Sequence, residues 1–358
     1  MSKSNGRVTI NDIATVSGVS KTTVSRYLNG KYNMMSTETR KRIEAAIELT
    51  NYRPSAVARS LKTKKSFLIG AVVADITSPF SSALISGMSD CLYENGYIPV
   101  FVNSGDSSER ERSFIHTLLA HQVDGLVVNT SSMDNPYLIS LANSGLPVVL
   151  VDRKVQNFNF DIVTGDYETP MVDLVEHLHS EGFGRVVLFS QEFRTNSVRQ
   201  QRIKGFCEGD AKFYGRSEPT DDVVQLTIGD ADQVRNEVCK VIKSTPDGQV
   251  PALIGNNSVT LMNLVYAIGK LGLSIPDQVG ICGPDDWDWS HSMRWDWSEI
   301  VEKGITTYKV HPYKMGEYAS KLVLRRIEDP GGHKEKITVP TEMTIRRSTM
   351  LKELGAGR

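Results

Sequence analysis

The sequence predicts an all-α helix-turn-helix head followed by an α/β body of two doubly wound lobes. Two helical periodicities over residues 9–30, joined by a short turn that contains a glycine, indicate the head. In the body, residues 67–151 and 186–283 each hold four short apolar runs separated by amphipathic stretches. Such runs are typical of buried parallel strands joined by helices, and repeated βαβ units indicate doubly wound sheets.

The first helix is expected to begin after Thr9, which is a suitable N-cap. Asp12 lies three residues further on, where a carboxylate suits the positive end of the helix dipole. Gly18 permits the turn that ends the helix. The apolar stripe of this helix consists of Ile10, Ile13 and Ala14.

The second helix lies in the segment VSKTTVSRYLNG, residues 19–30. Ser20 ends the turn, and Val24 and Leu28 fall four apart on a face that can be buried. The opposite face presents polar residues: Lys21, Thr22, Ser25 and Arg26. In a helix-turn-helix unit the second helix enters the major groove of DNA, so these side chains are expected to meet base edges.

A third helix is expected after Ser36, and it closes the three-helix unit. Its apolar contacts are expected from Ile43, Ala46, Ile47 and Leu49. Pro54 ends this helix. Residues 55–61 allow a further short helix that is too short to be stable alone, so this hinge segment is expected to become ordered on DNA.

The distribution of charge supports a DNA-binding head. Through Lys65 the chain carries 13 Lys and Arg against 4 Asp and Glu, whereas the remaining residues carry 28 against 38. Phosphate contacts supply most non-specific DNA affinity, so a basic head is expected of a DNA-binding protein. A solvated basic arm is the alternative. The apolar periodicities within the same segment favour the folded head.

Residues 9–70 resemble the LacI/GalR family of bacterial transcription repressors. The features that match are VSKTTVSRYLNG, the pair Thr39–Arg40, the NYRP and ARSL segments, and the pair Ile69–Gly70. Ser55 departs from the Asn that usually follows the hinge proline, although Ser also caps helices.

This resemblance implies that Lys21, Thr22 and Arg26 read bases in the major groove. It also implies that Leu61 inserts into the minor groove and kinks the operator, as apolar wedges do. Packing of Leu61 against its own domain is the alternative. The full set of expected DNA contacts is Thr9, Ser20, Lys21, Thr22, Ser25, Arg26, Asn29, Ala58 and Leu61.

The strands of the body are expected where the apolar runs lie. The first set covers residues 67–74, 98–103, 125–129 and 147–151, and the second covers 186–190, 223–226, 252–255 and 279–283. A strand over residues 305–310, a helix over 313–327 and the segments KITVP and EMTIRRS complete the body.

The body resembles the effector domain of the same family, which is periplasmic-binding-protein-like. The segments that match are ITSPF (76–80), HQVDGLVV (121–128), GLPVVLVDR (145–153), RIKGF (202–206) and ITTYKV (305–310). The resemblance implies two Rossmann-like lobes joined by three crossover strands. It also implies an effector cleft between the lobes that includes Phe80, Arg202, Asn256 and Asp285. An Arg and an Asp suit sugar hydroxyls or a carboxylate.

We therefore predict four parts. The head covers residues 1–53 and the hinge helix covers 54–65. The first lobe combines 66–165 with 307–331, and the second combines 166–306 with 332–358.

Two departures from the family pattern affect the expected cleft. Asn257 follows Asn256 where the family commonly has Asp, which removes a charge, and Pro284 replaces an aromatic residue. All four tryptophans lie in residues 287–297. Trp287 is expected near the ligand because indole faces stack on sugar rings, with inner packing as the alternative.

Four arginines in or near the second lobe favour an anionic effector: Arg153, Arg194, Arg199 and Arg202. Surface placement is the alternative for Arg194 and Arg199. A sugar acid of the keto-deoxygluconate type is therefore favoured, and a neutral sugar or a purine stays open. The expected effector contacts are Phe80, Arg153, Arg202, Asn256, Asp285 and Trp287.

The expected mechanism is allosteric repression by a cytoplasmic, nucleoid-associated homodimer. Two-fold symmetry presents two heads to palindromic operator DNA. Effector in the cleft changes the angle between the lobes, the hinge helices melt and DNA is released. Induction by a sugar-type ligand is expected; corepression would use the same cleft.

Other functions are less well supported by the residues. The chain has no G-x-G-x-x-G after its first strand, no Walker-A loop, no G-x-S-x-G and no H-E-x-x-H, so neither an enzyme nor a cofactor is expected. Scattered histidines and four separated cysteines indicate no metal site. No membrane span is expected. Alternatives are a regulator that uses a purine or a phosphoprotein as corepressor, and a sugar-binding transport protein, which would lack the basic head.

Overall fold

The head folds as three short helices around a small apolar core. The computed structural model describes residues 8–53, 65–216, 219–285 and 304–351. The chain divides into one unit up to Phe67 and a second from Leu68. The helices of the head are α1 (Ile10–Ser17), α2 (Lys21–Leu28) and α3 (Thr37–Thr50). Each contributes one fully buried residue to the core, namely Ile13, Val24 and Ile43.

The ends of these helices are fixed by the caps that the sequence predicts. The backbone N of Thr9 donates to Asp12 Oδ2 at 2.7 Å. The hydroxyls of Ser20 and Ser36 accept hydrogen bonds from backbone N–H groups within the first turns of α2 and α3, at 3.1 and 3.2 Å. These bonds satisfy N–H groups that have no partner inside a helix. Gly18 has φ of 61°, a left-handed conformation that glycine adopts without strain.

One expected core residue of the head is on the surface. Leu49 is 79% exposed, so its assignment to the core was wrong. The buried face of α3 passes through Ile43, Ala46 and Ile47, and Leu49 falls outside this stripe because successive helical residues are 100° apart.

Within the described ranges, most strands of the body are followed by a helix, except that the fourth strand leads directly to the fifth and the eleventh to the twelfth. Its strands are β1 (Leu68–Val73), β2 (Ile98–Asn103), β3 (Gly125–Val128), β4 (Val148–Val151), β5 (Asp161–Gly165), β6 (Arg185–Ser190), β7 (Val223–Gln225), β8 (Pro251–Gly255), β9 (Gly280–Pro284), β10 (Thr306–Lys309), β11 (Lys336–Val339) and β12 (Glu342–Thr344). Its helices are α4 (Pro79–Glu94), α5 (Ser108–Ala120), α6 (Pro136–Asn143), α7 (Thr169–Glu181), α8 (Ser197–Tyr214), α9 (Ala231–Ser244), α10 (Ser258–Leu271) and α11 (Pro312–Glu328).

The strands form two six-stranded sheets, one for each lobe. The first has the order β11-β5-β4-β3-β1-β2 and is parallel throughout. The second has the order β12-β10-β9-β8-β6-β7, and only β12 runs antiparallel to its neighbour. Central strands such as β3, β4 and β8 are buried along their whole length because helices cover both faces. The predicted α/β fold of two doubly wound lobes is confirmed.

Among the described strands, the chain passes between the two sheets three times, after β5, after β10 and after β11. Two strands therefore lie in the other lobe from the one that the sequence suggested. Residues 306–309 belong to the second sheet, where Tyr308 is fully buried, so the return to the first lobe starts later than residue 307. Residues 336–339 pair with β5 and form an edge strand of the first sheet.

Helix α11 packs closely on α4 in the first lobe. A Cβ atom on Gly316 would lie 2.2 Å from the carbonyl oxygen of Leu84, and one on Gly87 would lie 2.0 Å from that of Tyr313. The two glycines let the backbones approach, which seats α11 against the sheet. None of the helices in the described ranges is long and apolar enough to cross a bilayer.

Candidate functional site

The exposed face of α2 presents the residues that the sequence assigns to base recognition. Lys21, Thr22 and Arg26 are exposed, whereas Ser25 is half-buried. Val24 and Leu28 turn the opposite face into the core of the head. The face is therefore available to a groove of DNA, and base contact by these side chains stays a prediction.

Other polar residues of the head have partners within it. The side-chain amide of Asn29 donates to the carbonyl oxygen of Ser25 at 2.5 Å and so closes the end of α2. Arg42 Nη2 donates to the carbonyl oxygens of Ser17 and Gly18 at 2.6 and 3.0 Å, which ties α3 to the turn. Ala58 and Leu61, the expected minor-groove residues, lie outside the described residues.

A cleft lies between the lobes at the carboxyl ends of their parallel strands, where open α/β sheets generally bind ligands. Asp152 directly follows β4, and Asp285 directly follows β9. The described residues that line this cleft are Ala74, Asp75, Ser78, Phe80, Ser81, Asp106, Asn129, Asp152, Arg153, Gln191, Asn196, Val198, Arg199, Arg202, Asn257, Ser258, Val259 and Asp285.

Arg202 is the most deeply buried cation of the cleft, with 5% of its surface exposed. Its Nη1 donates to the backbone oxygen of Asn256 at 2.7 Å, and its Nη2 lies 4.0 Å from Asp285 Oδ1. The guanidinium lies 4.9 Å from the ring centre of Tyr167. Although burial opposes it, the neighbouring Tyr308 and Asp285 raise the pKa of Arg202. The group is therefore a fixed positive charge.

Two carboxylates at the ends of strands are held by hydrogen bonds, Asp285 by a backbone N–H group and Asp152 by side chains. Asp285 Oδ2 accepts a hydrogen bond from the backbone N of Ser258, at the start of α10, at 2.9 Å. Asp152 Oδ2 accepts from the amide of Asn129 at 3.2 Å, and its Oδ1 accepts from the hydroxyl of Tyr167. Burial raises the pKa of Asp285, and burial together with Asp152 raises that of Tyr167.

An ion-pair cluster joins the two lobes at the cleft. Asp106 belongs to the turn after β2 in the first lobe, and its Oδ1 lies 2.5 Å from Arg153 Nη1. Its Oδ2 lies 3.6 Å from Nη2 of Arg199, which belongs to α8 of the second lobe. A second hollow opens beside this cluster and shares these three residues with the cleft.

Three of the four acidic residues that line the cleft share an uncommon backbone conformation. Asp106, Asp152 and Asp285 have φ of 55°, 67° and 80°. Left-handed conformations are uncommon outside glycine, and Asp tolerates them better than most residues. Each turn therefore directs a short acidic side chain from the end of a strand towards the cleft.

Apolar and backbone contacts also hold the lobes together. Phe80 of the first lobe packs against the apolar core of the second. The backbone N of Met133 donates to the carbonyl of Thr195 at 3.1 Å, and that of Lys154 donates to Ser197 Oγ at 2.9 Å. The cleft is therefore closed by contacts on more than one side.

The structure brings four of the expected effector residues into the cleft wall: Phe80, Arg153, Arg202 and Asp285. Asn256 is fully buried behind the wall, where its amide donates to Ser190 Oγ at 2.9 Å. Asn257, the N-cap of α10, lines the cleft beside it, and contact of the expected residues with an effector stays a prediction. Trp287 lies outside the described residues.

Of the two arginines that the sequence left open, Arg199 lines the cleft and Arg194 does not. The side chain of Arg194 is 75% exposed and pairs with Glu192 at 3.3 Å. Sequence reasoning missed Asp106, Asn129, Asp152 and Asn196. The position of Asp152, one residue after a predicted strand, is the signal that would have found it.

Two known protein families match this chain, one over the head and one over the body. The family described as bacterial regulatory proteins, lacI family, matches residues 9–55. The family described as periplasmic binding proteins and sugar binding domain of LacI family matches residues 66–347.

Curated relatives match over nearly the whole chain. The HTH-type transcriptional regulator KdgR of Bacillus subtilis is 34% identical over 349 residues, which cover 97% of this chain and 99% of that protein. The HTH-type transcriptional regulator PtxS of Pseudomonas aeruginosa is 32% identical over 346 residues, 97% of each chain. These relatives are transcription regulators and not enzymes.

A solved structure of the lac repressor dimer bound to operator and the anti-inducer ONPF has the same fold. Its TM-score is 0.79 at 22% identity, and the match covers 96% of this chain and all of that one. With the helix-turn-helix head, the two-lobed body and these relatives, the chain belongs to the LacI family of bacterial regulatory proteins and is a DNA-binding transcription regulator with an effector domain.

Proposed function

We propose that this regulator represses genes of carbohydrate uptake or breakdown, and that a sugar acid bound between the lobes releases it from DNA. The observation that carries the proposal is the convergence of Arg153, Arg199 and Arg202 on one cleft. Arginine binds planar carboxylates through two parallel hydrogen bonds. Side chains that suit sugar hydroxyls, such as Asn129 and Asp285, lie in the same wall.

The head supplies the other half of the function. We infer that Lys21, Thr22 and Arg26 meet base edges, with Leu61 of the hinge segment as the minor-groove wedge. The support is the exposure of the three α2 residues and the excess of basic residues before Lys65. The protein is proposed to act as a homodimer on palindromic operator DNA in the cytoplasm, at the nucleoid. The lac repressor dimer, which has this fold, is bound to operator.

The effector would act through the angle between the lobes. A ligand shifts an equilibrium only as far as its affinities for the two states differ. The Asp106–Arg199 ion pair and the packing of Phe80 join the lobes. A ligand that replaces one of these contacts would therefore favour one angle between the lobes over another.

The test begins with selection of a high-affinity duplex from a random DNA library by the purified full-length protein. Binding of this duplex is then followed by fluorescence anisotropy during titration with sugar acids, including D-gluconate, D-galacturonate and 2-keto-3-deoxy-D-gluconate. A sugar acid is expected to release the DNA, whereas the neutral sugars D-glucose and D-galactose should not.

Two matched variants locate the response. Arg202→Lys should weaken the response to the acid while operator binding stays normal, because Lys lacks the planar fork of donors. Arg194→Lys, on the exposed residue outside the cleft, should respond as the wild type does. Release by neutral sugars alone, or equal loss in both variants, would contradict the proposal.

A further inference from the structure

We propose that Asp106 is an intramolecular stand-in for the carboxylate of the effector, and that an acidic effector binds by taking its place between Arg153 and Arg199. The inference deepens the proposed function and rests on it, because it assumes an acidic effector in this cleft.

The geometry of Asp106 is that of a carboxylate bridging two guanidinium groups. One oxygen lies 2.5 Å from Arg153 Nη1, and the other lies 3.6 Å from Arg199 Nη2. The two arginines come from different lobes, so one carboxylate joins both walls of the cleft. A ligand carboxylate between the same two groups would form equivalent contacts.

The partners differ in how far they are withdrawn from water. The side chains of Arg153 and Arg199 are each 12% exposed, whereas that of Asp106 is 38% exposed. A buried charge without a counter-ion is costly, whereas an exposed ion pair contributes little to stability. The two arginines therefore require an anion, but Asp106 can return to water at low cost. Because of this difference in exposure, a ligand carboxylate can replace that of Asp106.

The arginines keep their positions through acceptors that carry no charge. Arg153 Nη1 also donates to the carbonyl oxygen of Thr130 at 3.1 Å. Arg199 donates to the carbonyl oxygen of Glu192 at 2.5 Å and to Gln191 Oε1 at 2.8 Å. These bonds orient the guanidinium groups without neutralising them, so the anion site persists when Asp106 leaves. Burial and the nearby guanidinium of Arg153 lower the pKa of Arg199 to about 10, which reflects the crowding of positive charge.

The exchange requires movement of one side chain and not of the loop. The backbone N of Asp106 donates to the carbonyl oxygen of Ala74 at 2.8 Å, which anchors the turn to β1. Rotation about the side-chain bonds is enough to withdraw the carboxylate. Neutral sugars cannot replace its charge, so Asp106 selects for acidic effectors, and its departure removes an ion pair between the lobes.

The test compares wild-type protein with Asp106→Asn, which keeps the size of the side chain and removes its charge. By isothermal titration calorimetry without DNA, the variant should bind D-gluconate about tenfold more tightly, the factor expected from one charge-assisted hydrogen bond that no longer has to be given up. Its affinity for D-glucose should not change. Asp247→Asn, an equal change of charge at an exposed site of the second lobe, should change neither affinity.

Arg199→Gln separates exchange from simple opening of the cleft. Both Asp106→Asn and Arg199→Gln remove the ion pair between the lobes, but only the first leaves an arginine pair without its anion. Tighter binding of D-gluconate in both variants would show that opening alone is responsible and would overturn the stand-in role. Weaker binding in Asp106→Asn would also overturn it, because Asp106 would then be a direct contact of the ligand.

Sulfate provides a readout that does not depend on the identity of the effector. Sulfate should raise the thermal unfolding temperature of Asp106→Asn more than that of the wild type or of Asp247→Asn, because the vacant arginine pair takes up an anion. Equal effects in all three proteins would overturn the inference and leave the proposed function standing. Stabilisation of Asp106→Asn by sulfate, with no binding of any sugar acid to any variant, would instead support the anion site and contradict the proposed function.

Discussion

At the scale of single residues, Arg202 and Asp285 show how a cleft keeps charges out of water. Arg202 is 5% exposed and Asp285 is 4% exposed, and each lies beside the other and beside polar backbone. Each charge offsets part of the cost of burying the other, and the backbone partners offset a further part. Such a pair holds a fixed pattern of charge in the cleft, and its removal affects folding as well as binding.

Arg202→Ala is expected to lower the free energy of unfolding by about 3–5 kcal/mol, because it leaves the carboxylate of Asp285 buried without its guanidinium partner. Urea denaturation of the full-length protein measures the change. Arg202→Lys, which keeps a positive charge, should recover part of the loss. An unchanged unfolding curve for Arg202→Ala would show that Asp285 is satisfied by other groups.

If Arg26 forms the proposed base contact, Arg26→Ala is expected to weaken operator binding by about 1–3 kcal/mol and to relax specificity at one base position, because that contact is lost. Anisotropy with operator, with single-base variants and with random DNA measures both effects. Equal loss for operator and random DNA would identify Arg26 as a phosphate contact. Circular dichroism checks that the head stays folded.

Some residues of the site could be predicted from the sequence. The resemblance to the family predicted Arg202 and Asp285 as cleft residues. The group of four arginines predicted Arg153 there and left surface placement as the alternative for Arg199. Asp106 was missed because it lies in a turn after β2 and reaches the cleft only through a left-handed backbone. Asn256 was preferred over Asn257 because the sequence does not reveal which of two neighbouring amides caps the next helix.

At the scale of elements, the packing of α11 on α4 depends on backbone contact. The close approach at Gly316 leaves no room for a methyl group beside the carbonyl of Leu84. The sequence predicted both helices from their periodicity, but not this contact, because two glycines carry no apolar signal. Strand β5 was also missed, because it is short and begins with Asp161, which pairs with Arg326 at 2.9 Å.

Gly316→Ala is expected to destabilise the protein by about 1–3 kcal/mol, because overpacking outweighs the better helix propensity of alanine. Gly269→Ala is the matched control within α10, where an added Cβ would meet no atom within 4 Å. The control should be neutral or stabilising by up to about 1 kcal/mol. Chemical denaturation of both variants checks the difference, and similar effects would contradict the close approach.

The stability of the protein is expected to depend on pH through His177 of helix α7. His177 Nε2 lies 2.8 Å from Thr349 Oγ1, and burial lowers the pKa of His177 below its ordinary value of 6.5. The unfolded chain then binds the proton more readily than the folded one, so stability is complete above pH 6.5 and falls as the pH drops towards the folded pKa. Urea denaturation at pH 7.5 and 5.5 should show this loss, and His177→Gln should show less of it.

At the scale of the whole molecule, charge is divided between the head and the body. The segment up to Lys65 carries 13 basic against 4 acidic residues, whereas the rest carries 28 against 38. Composition alone revealed this division of charge, and the helical periodicities of the head then favoured DNA binding over a solvated basic arm. The three passages of the chain between the sheets could not be placed from composition, because residues 306–309 (TTYK) and 336–339 (KITV) are short segments of mixed polarity that suit either sheet.

Operator affinity is expected to fall steeply with salt, by about 10³-fold or more between 50 and 200 mM if six or more phosphates are contacted. Binding of D-gluconate in the cleft should fall far less over the same range, because buried charges are screened weakly. Anisotropy and calorimetry at matched salt concentrations measure the two slopes. Similar slopes would place the effector on an exposed surface and not in the cleft.

Because the chain passes three times between the sheets, the body can complete both of its sheets only late in translation. Strand β11 supplies the edge of one sheet and β12 the edge of the other, and both lie within residues 336–344. Neither lobe has all its strands until this segment has been synthesised. A nascent chain therefore carries two incomplete sheets until late in translation, and a premature stop codon before Lys336 removes a strand from both lobes at once.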